Sequence, residues 1–225
     1  KKINQALVGV EEISKHVDAL LVINNERLRK IYPELTVINA FAKADDTLTI
    51  AAKSIAEIIT MHGIMNLDFE DVTTVLKDGG VAIMSTGYGE GENRVTKALN
   101  EALTSPLLNH NDIFNSKKVL LSISFCSENE GDTLMMEEMN EVHEFMGKFR
   151  DDVETKWGLS IDPSLGKKVK ITILATGFGI TNVPGIREKM NQEEQERLRE
   201  LEEKAEENDT RREQFYGTND RSGTS

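Results

Sequence analysis

Cysteine is scarce in this chain and basic residues are outnumbered, 27 against 39 acidic, and each imbalance excludes something. A single cysteine, Cys126, cannot close an internal disulfide, so a reducing compartment is expected. Its place in the apolar run from Val119 to Cys126 is that of a small buried hydrophobe rather than a nucleophile. The four histidines, His16, His62, His110 and His143, are scattered without ligand spacing, and no metal site is expected. No apolar run is long enough to span a bilayer, and no apolar signal segment stands at the start. The formal net charge is −12. Such a balance argues against nucleic-acid binding and against unaided docking on anionic lipid. The opening Lys1-Lys2-Ile3-Asn4, without Met, reads as a start inside a larger protein.

What is present suits a mixed α/β protein. Its 225 residues are enough for one or two domains with a sizeable core. Residues 5–17 read as a helix, 19–23 as a buried strand ended by Asn24-Asn25, and 26–31 as a short helix closed by Pro33. Phe41, Ala44, Leu48, Ala51, Ile55 and Ile58 recur every three or four residues. They predict a helix over 39–62, a rod of roughly 35 Å that suits a spine between two domains. Beyond it the pattern predicts helices over 69–77, 92–103 and 134–149, and strands over 81–87, 118–125, 153–161 and 169–176. Alternation in the strands implies helices on one side of a sheet. From Pro184 onwards the chain is mostly charged. A thin stripe of Leu198, Leu201 and Ala205 predicts a solvated helix over 187–213 that passes into a disordered tail.

Two Gly-rich stretches do not carry a nucleotide. Gly87-Tyr88-Gly89-Glu90-Gly91-Glu92-Asn93-Arg94 lacks the Gly-Lys-Ser/Thr ending of a phosphate loop, and Glu90 and Glu92 would repel phosphate. It and Gly177-Phe178-Gly179 read as turns at strand ends. The stretch with chemical content is Gly63 to Asp71. It places Asn66-x-Asp68-x-x-Asp71, an amide and two carboxylates, directly after the long helix, as if at the tip of a rod. Local rules favour a capped helix start, with Asp68 as N-cap and acids in the first turn. Two carboxylates can also orient a water for attack on a phosphate. A calcium loop fails, since Asp71 stands where Gly is needed and Lys77 where the bidentate Glu belongs.

Gly63-Ile64-Met65-Asn66-Leu67-Asp68-Phe69-Glu70-Asp71-Val72 resembles the synergy loop of the FtsZ family, the bacterial tubulin-like cell-division GTPases. Further colinear matches are Ser14-Lys15-His16-Val17-Asp18, Ala40-Phe41-x-x-Ala44-Asp45, Gly91-Glu92-Asn93-Arg94, Ser105-Pro106-Leu107-Leu108 and Ile173-Leu174-Ala175-Thr176-Gly177-Phe178. The resemblance covers roughly residues 1–180. It implies a C-terminal half. Residues 1–38 would be a remnant of the GTP-binding domain, 39–62 the central helix and 63–71 the synergy loop. Residues 72–182 would be a tubulin-like domain with a mixed sheet and helices, and 183–225 a charged linker. It further implies head-to-tail stacking in the filament of the cytoplasmic mid-cell division ring. There Asp68 and Asp71, supported by Asn66, would polarise the attacking water at the next subunit's GTP. Asn25, Phe41 and Asp45 fall at guanine-contacting positions. GTP or GDP, with Mg2+ as companion ion, is the implied ligand of the parent protein. None is expected on this fragment, because the Gly-Gly-Gly-Thr-Gly phosphate signature is absent. The tail peptide that the family uses for membrane tethers and other division proteins is likewise not seen. Two alternatives stay open at this stage. One is a non-catalytic assembly or ligand-binding module of the same fold. The other is a small-molecule cleft between the central helix and the second domain.

Overall fold

The computed structural model describes residues 2–22, 33–61, 63–104, 113–129, 131–179, 191, 192, 194–199, 201 and 204. A six-stranded mixed sheet organises them. In chain order the elements are α1 (Lys2–Ser14), β1 (Ala19–Leu21), α2 (Val37–Thr60), β2 (Gly63–Met65), α3 (Phe69–Leu76) and β3 (Gly80–Glu90). Then follow α4 (Arg94–Thr104), β4 (Lys118–Phe125), α5 (Glu138–Met146), β5 (Glu154–Ile161) and β6 (Lys168–Phe178). The strands lie in the order β1-β3-β6-β4-β5-β2. β1 is parallel to β3 and β4 to β5, while the β3–β6, β4–β6 and β2–β5 pairs are antiparallel. The long helix α2 thus joins strands at the two opposite edges.

The sequence predicts helices on one side of the sheet, and the structure corrects this. Successive side chains of a strand point to opposite faces. Val119, Leu121, Ile123 and Phe125 of β4 and Val169, Ile171, Ile173 and Ala175 of β6 pack with α1, α4 and α5. Leu120 and Leu174 point the other way, into a second core with Ala51 and Ile58 of α2 and Val72 and Val75 of α3. The polar members of the alternation look solvent-facing in the sequence. Instead Ser122, Ser124 and Thr172 are buried under α2. Ser124 and Thr172 are tolerated there because each pairs with a hydroxyl on the next strand. Ser124 Oγ lies 2.7 Å from Ser160 Oγ, and Thr86 Oγ1 3.2 Å from Thr172 Oγ1. Lys170 Nζ donates to Glu57 Oε2 of α2 at 2.5 Å.

β3 is the second correction. Gly87-Tyr88-Gly89 is not a turn after a strand but part of the strand, which runs to Glu90. A Cβ on Gly89 would sit 1.7 Å from the Arg94 carbonyl oxygen of α4, so the strand can pass under that helix only as glycine. The helix expected over 134–149 is shorter, Glu138–Met146, and ahead of it the Asp132 and Thr133 carbonyls accept from Arg94. In the charged tail the described positions from 191 to 204 are helical, and Leu198 and Leu201 are more than half exposed. The expected helix over 26–31 lies outside the described residues.

Candidate functional site

Helix α2 stops at Thr60. Met61 leaves the helix with extended backbone, and its N–H still donates to the Glu57 carbonyl at 2.9 Å. The chain does not then project as the tip of a rod, as its sequence implied. It turns back as β2 and pairs with β5, Gly63 opposite Ser160 and Met65 opposite Leu159. Asn66 Oδ1 accepts the Gly63 N–H at 2.7 Å and closes the turn. Leu67 enters the second core, 8% exposed. A Cβ on Gly158 would lie 2.6 Å from Leu67 Cγ, so glycine on β5 lets the loop seat against the strand.

Asp68 then starts α3. Its Oδ1 accepts the Asp71 N–H at 2.9 Å, and Asp71 Oδ2 accepts the Asp68 N–H at 3.3 Å, a reciprocal capping box. The helix-cap reading of these carboxylates is therefore realised in the structure. Asn66, Asp68, Phe69 and Glu70 remain exposed, and Asp71 is half-buried. Lys156 of β5 reaches the other oxygen of Asp71, Nζ to Oδ1 at 3.1 Å. Its ammonium is held above the usual lysine range, chiefly by the hydrogen bond to Asp71 and then by the charges of Asp71, Glu154 and Asp68. The loop is thus a seated, acid-bearing knob with geometry fixed at both ends. It can accept protons from a water or a donor group that another molecule brings.

Phe41 and Asp45 lie one turn apart near the other end of α2, and both are exposed. Along α2, 19 and 15 residues separate them from Thr60, roughly 28 and 22 Å of helix at 1.5 Å per residue. The structure brings Asn66, Asp68 and Asp71 together and does not bring them to Phe41 and Asp45. Asn25 lies outside the described residues. The first half of α2 also leaves Val37, Ile38 and Leu48 uncovered. Between the second half and the sheet, Ser54, Glu57, Met61, Ser160 and Lys170 surround a cavity of about 10 Å3, room for one water. That leaves no ligand-sized cleft at this place.

Sequence reasoning missed two residues. Lys156 has no local signal beyond being a lysine inside a strand, because strand pairing brings it to its partner. Arg94 is the other. Nε and Nη2 donate to Glu138 at 2.7 and 3.0 Å. Nη1 donates to the Asp132 and Lys167 carbonyls at 3.2 and 3.0 Å, and Nη2 to the Thr133 carbonyl at 2.7 Å. All five guanidinium donors are used. The pair raises the Arg94 pKa. Burial pushes the Glu138 carboxyl up, but Arg94 and the Met135 N–H outweigh it and the net shift is downward. Among the described residues no helix is long and apolar enough to cross a membrane.

Comparison with known proteins gives this geometry a family. Residues 80–179 match the FtsZ family, C-terminal domain. The cell division protein FtsZ of Porphyromonas gingivalis is 59% identical over 180 residues, covering 80% of this chain and 39% of that protein. Cell division protein FtsZ 1 of Thermococcus kodakarensis is 38% identical over 178 residues, covering 79% and 46%. Among solved structures, the empty FtsZ dimer of M. jannaschii superposes with a TM-score of 0.66 at 34% identity, covering 76% of this chain and 49% of that one. GDP-form protofilaments of TubZ from Bacillus thuringiensis serovar israelensis share the fold, with a TM-score of 0.63 at 17% identity, covering 95% and 59%. The chain spans under half the length of these curated relatives. Its mixed sheet, its colinear motifs and these matches agree: residues 80–179 are an FtsZ C-terminal domain.

Proposed function

We propose that this chain is the activating part of a GTPase that polymerises head to tail into a bacterial division filament at mid-cell. Asp68 and Asp71 orient the water that attacks GTP bound by the next subunit, and Asn66 holds the turn from which they project. Phe41 and Asp45, with Asn25, belong to the guanine-binding face of the same parent protein, and Mg2+ accompanies the nucleotide. One observation supports this reading: Phe41 and Asp45 lie in the first half of α2, whereas Asn66, Asp68 and Asp71 follow its far end, on the turn and capping box beyond Thr60. Two subunits stacked in the same direction would bring the loop of one to the Phe41 and Asp45 end of the other. Such a heterologous contact does not close on itself and so grows a filament. Residues 1–38 and the uncovered first half of α2 would then face a nucleotide domain. Residues 183–225 would lead towards the tethers and other division proteins.

Alone, the chain is expected not to hydrolyse GTP, because its sequence holds no Gly-rich phosphate cradle. It should act in trans. The test uses an intact FtsZ relative whose own loop carboxylates are replaced by alanine, so that it binds GTP but turns it over slowly. Added chain should raise turnover in proportion to the docked fraction, and Asp68→Ala or Asp71→Ala should abolish the rise. With unmodified FtsZ it should also shorten filaments by blocking one end. Unchanged turnover and filament length, or stimulation that survives both substitutions, would sink the reading. A non-catalytic module is then the alternative, and the capping box is the observation in its favour.

A further inference from the structure

We propose that Lys156 is a positioning residue for Asp71, setting from strand β5 the orientation of the carboxylate that the loop presents to the next subunit. The inference rests on the reading of the loop given above and adds a residue outside it. Asp71 is tied to its own helix only through Oδ2, by a long hydrogen bond of 3.3 Å to the Asp68 N–H. One weak point of attachment leaves a carboxylate free to rotate. Lys156 Nζ supplies the second point, at 3.1 Å from Oδ1. Both oxygens are then fixed, one from the loop and one from the sheet.

The support for this contact is rigid. β5 is paired on one side with β4 over its whole length and on the other with β2, so the Lys156 backbone cannot drift along the sheet. Catalytic groups are held best when their supports come from regular elements. Charge points the same way. Asp68, Glu70 and Asp71 crowd three carboxylates into four residues, and a polyphosphate is itself anionic. Unrelieved, that face would be repelled by the nucleotide that it must approach. Lys156 offsets part of this charge at the point of contact. The ion pair is partly solvated, with side chains 39% and 24% exposed, so it contributes little to folding stability. Its effect falls on the chemistry of the loop.

The trans assay separates docking from chemistry. The chain concentration giving half-maximal stimulation reports docking, and the plateau reports turnover in the docked complex. Lys156→Met should lower the plateau on the order of tenfold, because a misplaced carboxylate loses alignment with the water. Half-saturation should stay within roughly twofold and the melting temperature within about 2 °C. Lys156→Arg should recover most of the plateau, and Lys156→Met should add nothing to Asp71→Ala. A Lys156→Met plateau equal to wild type, while Asp71→Ala abolishes stimulation, overturns the positioning role and leaves the trans mechanism standing. A shift in half-saturation alone overturns it in favour of docking. A plateau loss with a matching loss of melting temperature and no rescue by arginine overturns it in favour of plain structure. If Asp71→Ala itself changes nothing, the trans mechanism fails and this inference with it.

Discussion

Asp68 begins helix α3 with one carboxylate oxygen, and a hydroxyl can do the same. Substitution can therefore separate the cap from the charge. Asp68→Ala should cost about 1 kcal/mol by removing the acceptor for the Asp71 N–H, whereas Asp68→Ser should cost only a few tenths. Thermal melts of the two variants check this. If the charge is what activates the neighbouring subunit, both variants lose stimulation alike. If Asp68→Ser keeps it, the carboxylate is only a cap. The cap itself was legible in the sequence, because an Asx-type N-cap and its N3 partner are three residues apart and depend on nothing distant. The Lys156 contact was not. It joins residues that only the β2–β5 and β4–β5 registers bring together, and one sequence gives no access to register.

At the level of elements, Arg94 ties α4, α5 and the segments at residues 132–133 and 167 into one unit. Arg94→Met leaves the half-buried Glu138 carboxylate with only the Met135 N–H and three carbonyls without their guanidinium donor. A loss of roughly 3–5 kcal/mol is expected in urea unfolding. Arg94→Lys should recover little, since an ammonium offers three donors and no fork. Gly89→Ala should cost about 1–3 kcal/mol or more, because its new carbon meets the backbone of α4 rather than a flexible side chain. The strands of this part were readable from their apolar alternation. The extension of β3 was hidden, since glycine carries no hydropathy and Gly87-Tyr88-Gly89 reads as a turn. The second layer of helices was hidden for a related reason. Ser124 in β4 and Thr172 in β6 look solvated, and only pairing with hydroxyls of β5 and β3 makes them buriable.

For the whole molecule, pH and assembly are the accessible variables. The folded-state carboxyl of Glu138 titrates below its unfolded value of about 4.3. Its contribution is therefore fully present above that value and is lost as the pH falls through the lower, folded one. The difference in melting temperature between wild type and Glu138→Gln should be largest near neutrality and should shrink below about pH 4. A difference that grew in acid would contradict the assignment. The family and its mixed sheet were legible from motifs spread along the chain. The shared site was legible only through the family resemblance, because no spacing within one chain shows what a second molecule brings. The seating of the loop on β5 has one more consequence, for biosynthesis. Ribosomes make the acidic loop first and its anchoring strand about 90 residues later. At 5–20 residues per second the loop would wait on the order of 5–20 s for its strand, so a nascent chain should hold the loop unseated, unable to activate a neighbour, until β5 has emerged.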